Sequence, residues 1–141
     1  MKLSTRSRYG TRMMLDMAEH GHKGPVQMGD IARRQAISVK YLEQLIIPLK
    51  KANYIKSVRG PKGGHMLAES PENITLGAIV DVLEGGIDLC DCIEHPESCN
   101  KFKRCLTRPV WKRATRAMYD ELNAITLADM LPKQKAPGKT E

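Results

Sequence analysis

All four cysteines of this 141-residue chain lie within one stretch of sixteen residues, at Cys90, Cys92, Cys99 and Cys105. The stretch contains a proline and follows a pair of glycines, so we predict an irregular loop there rather than a helix or a strand. Thiolates that converge from such a loop are typical ligands of zinc or of an iron–sulfur cluster. The predicted loop, residues 85–106, separates residues 1–84 from a C-terminal part and is the leading candidate for a metal or cluster site.

Two disulfides, or four ordinary thiols, are the alternatives for this loop. Disulfides are typical of small secreted domains with a poor core, and the start of the sequence has no signal-peptide pattern. No apolar run approaches the roughly 18 residues of a membrane span. We therefore expect a cytoplasmic protein with reduced thiols and no membrane partner.

The charge of the chain is distributed unevenly. Residues 1–70 carry 13 basic and 5 acidic side chains, whereas residues 71–105 carry 3 basic and 7 acidic ones. A basic front part joined to an acidic cysteine loop indicates a polyanion-binding domain coupled to a sensor. A solvated basic surface without a polyanion partner is the alternative that composition leaves open.

The hydrophobic periodicity predicts three helices in the front part. The first should begin after Ser4 or Thr5 and end near Gly21, and two shorter helices should follow over residues 28–35 and 39–47. Helix, short turn and helix, with polar residues near the N-terminus of the second, is the pattern of a DNA-reading helix-turn-helix. Any αα-hairpin would show a similar periodicity.

Two residues mark the limits of the second helix in this pair. Ser38, after the short turn at Ala36-Ile37, is a good N-cap. Pro48 lacks the N–H that would bond to residue 44, so we expect the helix to kink or end there.

A β-hairpin is predicted after these helices. Residues 54–58 and 65–68 are β-prone and enclose Arg59-Gly-Pro-Lys-Gly-Gly64, a tip with three glycines and two cations. Such a hairpin after a helix-turn-helix is typical of a wing that contacts phosphates or the minor groove. A phosphate-cradling loop would open a helix instead. The predicted fold is therefore mainly α with a small β-wing: a winged helix-turn-helix over residues 1–84.

The C-terminal part, residues 107–131, is predicted to contain a long helix from about Thr107 to Asn123. Its apolar side would be formed by Trp111, Ala114, Met118, Leu122 and Ile125. Because small alanines let a partner helix approach closely, we expect this helix to cross between the subunits of a homodimer. A helix folded onto its own domain is the alternative.

Two segments of the chain share the residues Ile-Thr-Leu, at 74–76 and 125–127. In each, the threonine can cap a short docking helix while the isoleucine packs on a residue five positions later. The tail from residue 132 to 141 is rich in lysine and is predicted to be disordered.

Several motifs resemble those of the Rrf-type winged-helix transcriptional regulators. They are the opening Met-Lys-Leu-Ser-Thr-Arg-Ser-Arg-Tyr-Gly, the run Tyr41-Leu-Glu-Gln-Leu45, the tip Val58-Arg-Gly-Pro-Lys-Gly-Gly64, the segment Cys105-Leu-Thr and the ending Ile125-Thr-Leu-Ala-Asp. They occur in order over residues 1–131. The family includes the iron–sulfur regulator IscR, the nitric-oxide sensor NsrR and the cysteine-metabolism regulator CymR, and the IscR-like branch is the most similar.

This resemblance implies a homodimer that binds double-stranded promoter DNA at a pseudo-palindromic operator, with one winged helix per half-site. It places recognition-helix contacts at Ser38, Tyr41, Glu43 and Gln44, and minor-groove contacts at Arg59, Gly60 and Pro61. Two cations on the same elements complete the predicted DNA-binding set, Lys40 and Lys62.

The resemblance also implies that Cys92, Cys99 and Cys105 hold a [2Fe–2S] or [4Fe–4S] cluster. The fourth ligand departs from the family pattern. IscR has a histidine three residues after its last cysteine, where this chain has Arg108, which stays protonated and cannot ligate. NsrR uses an N-terminal aspartate where this chain has Arg8.

The remaining candidates for the fourth ligand are Cys90, His95, Asp91 or a residue from elsewhere in the dimer. Thiolate is the more usual iron–sulfur ligand, so we predict Cys90, with His95 as the next candidate. Residues two apart in an extended segment project to the same side about 6–7 Å apart, which would let Cys90 and Cys92 reach two irons of one cluster.

The sequence thus predicts a sequence-specific DNA-binding regulator that senses iron–sulfur, redox or nitric-oxide status. One alternative is an iron–sulfur carrier, for which the helix-turn-helix and basic wing would have no purpose. Another is a zinc-stapled or cluster-free regulator acting through a partner protein. An enzyme is not predicted, because His20, His22 and His65 lie apart with no convergent acid or nucleophile.

Overall fold

The computed structural model describes residues 2–133 as a bundle of helices with one small hairpin. The helices and strands are α1 Thr5–His20, α2 Met28–Gln35, α3 Val39–Lys51, β1 Ile55–Val58, β2 Gly64–Leu67, α4 Leu76–Glu84, α5 Arg108–Asn123 and α6 Leu127–Met130. Single 3₁₀ turns lie at residues 21–23, 71–73 and 96–98. This confirms the predicted mainly α fold with a small β-wing. The predicted disordered tail falls mostly on residues 134–141, which lie outside the described residues.

The core is built from methionine and aliphatic side chains of α1, α3 and α4. Met13, Met14 and Met17 of α1 are each at most 1% exposed, and they pack with Leu42 of α3 and Ile79 of α4. Full burial of each such side chain contributes about 1.5–3 kcal/mol. The methionine stripe of α1, formed by these three residues, is thus the centre of the winged-helix core.

The helix-turn-helix consists of α2, a three-residue turn and α3. Ala36 adopts a left-handed conformation (φ 54°, ψ 46°) that turns the chain. The Oγ of Ser38 then accepts a hydrogen bond from the N–H of Tyr41 at 3.2 Å, which confirms the predicted N-cap.

The prediction that α3 would kink or end at Pro48 is wrong in one respect, since the helix continues to Lys51. A proline removes one backbone hydrogen bond, here to the carbonyl of residue 44. Leu45 and Leu49 on either side of it are 2% and 0% exposed. Their burial holds the last turn in the core despite the missing bond.

The wing is an antiparallel hairpin in which Ile55 pairs with Leu67 and Val58 pairs with Gly64. Its second strand is fixed to the segment before α2 by two 2.8 Å backbone hydrogen bonds between Val26 and His65. A side chain on Gly64 (φ 155°) would meet the Val26 carbonyl oxygen at 2.5 Å. This close approach requires glycine, and it anchors the base of the wing to the helix-turn-helix.

The two Ile-Thr-Leu segments pair with each other across the molecule. Thr75 and Thr126 form an antiparallel bridge, the Leu76 N–H donates to the Ile125 carbonyl at 2.8 Å, and the Leu127 N–H donates to the Ile74 carbonyl at 2.9 Å. Each threonine also caps its helix, as predicted. The pairing joins the end of α5 to the start of α4.

None of the helices within residues 2–133 is long and apolar enough to cross a membrane.

Candidate DNA-binding surface and cysteine loop

Helix α3 presents one buried and one exposed face. Leu42, Leu45 and Leu49 lie in the core. Four of its exposed side chains follow the spacing i, i+3, i+4 and i+7 on one face, and they are Lys40, Glu43, Gln44 and Ile47. The three polar residues are those predicted from the sequence. Ile47, which is 66% exposed, was not predicted there.

Tyr41, also predicted to contact DNA, lies at the edge of this face and is half-buried. Its ring packs edge-to-face on Tyr9 of α1, with ring centroids 5.9 Å apart. Its hydroxyl lies 3.1 Å from the Oγ1 of Thr5. Tyr41 therefore fixes the start of α3 against α1, which the sequence did not reveal because the two residues are far apart in the chain.

A basic edge adjoins α3 on the side of α1. The guanidinium carbons of Arg8 and Arg12 lie 5.8 and 5.5 Å from the centroid of the Tyr9 ring. Arg12 also donates to the Oε1 of Gln35 at 3.2 Å, which orients it towards the helix-turn-helix. Cations spaced four residues apart around an aromatic were the sequence signal for this edge.

The wing tip carries Arg59, Gly60, Pro61 and Lys62, and all four are exposed. A positive φ of 110° at Gly60 and a 2.9 Å hydrogen bond from the Gly63 N–H to the Gly60 carbonyl shape the turn. Neither cation forms an ion pair with the residues that the structure describes. Both side chains are therefore available to an anionic partner.

His65, at the base of the wing, is neutral near pH 7. Burial and the nearby Lys50 hold its pKa below the ordinary value, against a smaller opposing effect of Glu43. Its Nδ1 lies 2.9 Å from the Oγ of Ser57 on the paired strand. The residue has a structural position in the wing and adds no charge to the candidate DNA surface.

Side chains of α5 hold the backbone of the cysteine loop at three levels. The hydroxyl of Tyr119 accepts from the Ile87 N–H at 2.5 Å, and Thr115 Oγ1 accepts from the Leu89 N–H at 3.4 Å. At the start of the helix, Arg108 donates to the carbonyl of Cys92 at 3.1 Å. These polar side chains of α5 therefore hold the first half of the loop against the helix.

The four cysteines of the loop are free thiols in this structure. Burial, and next to it the neighbouring Cys92, raise the pKa of the Cys90 thiol. The hydroxyl of Thr107, 3.2 Å from its sulfur, lowers the pKa of Cys105, with help from backbone N–H groups at the start of α5. Cys90, Cys92 and Cys105 are half-buried, whereas Cys99 is exposed.

His95, the second candidate for a fourth ligand, lies at the surface. Its Nδ1 is 3.3 Å from a carboxylate oxygen of Glu97, and both side chains are at least two-thirds exposed. Among residues 2–133, no three His, Cys, Asp or Glu side chains are arranged so as to hold a metal ion. The donors nonetheless suit an iron–sulfur cluster or zinc in kind, because thiolates are the soft ligands that these centres take.

A scan against protein families matches residues 3–133 to the Rrf2 family, described as iron-dependent transcriptional regulators. The chain belongs to the Rrf2 family. It is 52% identical over 131 residues to the protein rrf2 of Nitratidesulfovibrio vulgaris, covering 93% of this chain and 87% of that protein. It is 40% identical to the transcriptional regulator IscR of Erwinia tasmaniensis, covering 96% of this chain and 81% of that one.

Solved structures of the Rrf2 family have the same fold. T. potens IscR matches with a TM-score of 0.77 at 39% identity, over 98% of this chain and 94% of the other. CymR of B. subtilis matches with a TM-score of 0.76 at 37% identity, over 92% and 95%. The predicted resemblance is confirmed: the chain is a winged-helix transcriptional regulator of the Rrf2 family and not an enzyme.

Sequence reasoning missed one buried ionic contact inside this Rrf2-family fold. Asp16 is 1% exposed, and its carboxylate accepts from Arg34 at 2.6 and 3.0 Å and from Gln35 at 2.9 Å. Burial acts to raise the pKa of Asp16, but the hydrogen bonds from Arg34 and Gln35 outweigh it and hold the pKa below the ordinary value. An acidic residue inside the methionine stripe of α1 was the available signal.

Proposed function

We propose that this Rrf2-family protein is a sequence-specific DNA-binding regulator that senses iron–sulfur cluster, redox or nitric-oxide status through a cluster held by its cysteine loop. The observation that carries the proposal is the attachment of this loop to α5 by Tyr119, Thr115 and Arg108. A change in the loop would thereby act on the helix that is joined to the winged-helix body. The names of the IscR relatives and the family's iron dependence support the same reading.

The proposed ligands are Cys92, Cys99 and Cys105, with Cys90 as the fourth and His95 as its alternative. The proximity of Cys90 to Cys92 favours Cys90, whereas His95 is occupied with Glu97 at the surface. A bound cluster supplies a group that exchanges electrons or is lost when it meets oxidants or nitric oxide. Because Cys99 is exposed, we expect the segment that carries it to move when all four ligands bind.

Arg108 has a distinct role in this proposal. It stands where IscR has a histidine ligand, and its guanidinium donates to the carbonyls of Cys92 and Ile93 at 3.1 and 3.4 Å. The residue fixes the backbone of one ligand cysteine and places a permanent positive charge beside the thiolates. Both effects favour an anionic cluster.

The proposed partners are double-stranded promoter DNA and a second copy of the chain. The wing cations and the polar face of α3 would supply the DNA contacts. On α5, Val110 is 53% and Trp111 41% exposed, and the small Ala114 and Ala117 beside them are exposed as well. An apolar stripe with small residues suits a second helix, so we assign it to the homodimer interface.

A continuous set of contacts links the loop to the DNA-reading helix. Tyr119 donates to Asp81 of α4 at 3.1 Å, and Glu84 at the end of α4 accepts from Ser4 and Ser7 of α1. Burial acts to raise the pKa of Glu84, but these hydrogen bonds hold the pKa below the ordinary value. The Glu84 carboxylate that accepts them is therefore ionised at neutral pH. Helix α1 in turn contacts Tyr41. Loop ordering could therefore shift the population of DNA-competent dimers.

The test is anaerobic purification followed by visible and EPR spectroscopy of the protein and its variants. We expect a coloured protein, loss of the cluster in Cys92→Ser, Cys99→Ser and Cys105→Ser, and an altered spectrum in Cys90→Ser. His95→Ala is the matched control and should keep the spectrum of the parent. If Cys90→Ser keeps a normal cluster and His95→Ala loses it, the fourth ligand is His95 and not Cys90.

A cluster-free regulator is the second candidate, favoured by the likeness to CymR, which is named the global cysteine regulator of B. subtilis. The same anaerobic preparation distinguishes the cluster-binding regulator from the cluster-free one. A colourless protein that still binds its operator would support the cluster-free regulator, and zinc in that preparation would support a stapling metal.

A further inference from the structure

The exposed face of α3 contains one large apolar side chain. Ile47 is 66% exposed, which is more than any other large hydrophobic residue of the described winged-helix part. It lies on the same face as Lys40, Glu43 and Gln44, and it takes no part in the hydrophobic core. A lone exposed isoleucine is unremarkable on most surfaces, but this one lies within the face that the fold presents to DNA.

The spacing of these four residues has a known use in DNA-reading helices. The recognition helix of homeodomains, a helix-turn-helix variant, contacts bases with side chains at positions i, i+3, i+4 and i+7 of one face. Ile47 is the i+7 member of the set that begins at Lys40. With a rise of 1.5 Å per residue, it lies about 4.5 Å along the axis from Gln44 and about 6 Å from Glu43. These distances correspond to roughly one or two base-pair steps.

We propose that Ile47 is a specificity-determining residue that contacts the C5-methyl group of a thymine in the major groove. Among the groups that bases present in this groove, the thymine methyl is the apolar one, and aliphatic or small apolar side chains are its usual partners. An aliphatic side chain cannot replace the hydrogen bonds of a polar base edge, so it disfavours other bases at that position. The inference rests on the DNA-binding role in the proposed function.

The test begins with binding-site selection by the full chain and by Ile47→Ser. Serine has nearly the helix propensity of isoleucine, and the side chain is exposed, so the variant should fold normally. We expect the parent to select a thymine one or two base pairs from the positions specified by Glu43 and Gln44. Ile47→Ser should lose that preference and retain the others.

The second step replaces the selected thymine by uracil, which removes the methyl group and leaves the base pair otherwise unchanged. At fixed salt, the parent should bind the uracil operator about fourfold more weakly per half-site, the equivalent of roughly 0.8 kcal/mol for one buried methyl group. Ile47→Ser should bind both operators equally. Ile47→Val, which stays branched and apolar, is the matched control and should keep most of the discrimination.

Three results would overturn the inference. One is a parent protein that binds thymine and uracil operators equally at every position of the half-site. Another is an Ile47→Ser variant that selects an unchanged motif; if this variant also loses self-association, Ile47 is a protein contact. The third, no DNA binding by the parent at all, would overturn the proposed function together with the inference, whereas the first two leave that function standing.

Discussion

At the scale of single residues, the buried carboxylate of Asp16 is expected to stabilise the fold through its hydrogen bonds with Arg34 and Gln35. Asparagine in its place has no negative charge and one oxygen fewer to accept hydrogen bonds from Arg34 and Gln35. Asp16→Asn should therefore lose roughly 2–3 kcal/mol of unfolding free energy at pH 7. Because folding lowers the pKa of Asp16, its contribution is complete above the ordinary aspartate pKa of about 3.9 and is lost as pH falls through the folded value.

Urea unfolding of both proteins at several pH values measures this difference. The gap between the parent and Asp16→Asn should be constant near neutral pH and should shrink in acid. Asp30→Asn is the control, because the Asp30–Arg33 pair is exposed and exposed pairs contribute about 0–1 kcal/mol. A gap that stays the same down to acid unfolding would contradict the assignment.

The turn of the helix-turn-helix gives a second residue-scale prediction. Ala36 has φ 54°, a conformation that costs an L-residue about 1–2 kcal/mol, whereas glycine adopts it freely at an entropic cost of about 0.5–1 kcal/mol. Ala36 is exposed, so its methyl group contributes little packing. Ala36→Gly should therefore raise the unfolding free energy by roughly 0.5–1 kcal/mol in urea titrations.

Asn53 provides the matched control for that prediction. It also has a positive φ, of 65°, but asparagine tolerates this region. Asn53→Gly should change stability less than Ala36→Gly does. A destabilised Ala36→Gly variant would show that the alanine is not strained.

At the scale of elements, we expect the wing to make two kinds of contact with DNA. Arg59 and Lys62 are both exposed at its tip, and neither is paired with the residues that the structure describes. Arg59→Ala should weaken operator binding by roughly 1–3 kcal/mol, because a narrow minor groove concentrates negative potential around an inserted arginine. Lys62→Ala should weaken all sequences alike and lower the salt slope by about one unit. Unchanged operator affinity in Arg59→Ala would contradict the wing assignment.

The contact between α5 and the cysteine loop gives the second prediction at this scale. Tyr119→Phe removes the hydroxyl that accepts from Ile87 and donates to Asp81. We expect faster amide hydrogen exchange at Ile87 and a loss of about 1 kcal/mol of unfolding free energy. Tyr54→Phe, in the turn before β1, is the control. Equal exchange in the parent and Tyr119→Phe would show that the tyrosine does not hold the loop.

At the scale of the whole molecule, the local parts of the fold were predictable. Periodicity predicted α2 at the residues observed, and a strand–tip–strand pattern predicted the wing within one residue at each strand. These signals lie within a few residues of one another. The bridge between Thr75 and Thr126 and the stacking of Tyr9 on Tyr41 join distant residues, and neither leaves a local period.

The candidate site follows the same division. The exposed polar side chains of α3 were predictable from helix periodicity, because the position of the buried face determines which residues lie on the opposite, exposed face. The course of the cysteine loop was not predictable, because an irregular backbone has no periodic pattern and its position depends on the side chains of α5. The assignment of its thiols to a cluster stays a prediction.

We propose that a cluster in the loop controls DNA binding through α5. This control is tested most directly by titrating operator DNA with anaerobically purified protein before and after the cluster is removed, with Cys92→Ser as the cluster-free control. We expect removal of the cluster to change the parent's affinity for the operator by roughly 5- to 150-fold, the usual range of allosteric coupling, and to leave the affinity of Cys92→Ser unchanged. Equal affinities of the loaded and stripped parent, with the cluster verified by its visible spectrum, would contradict it.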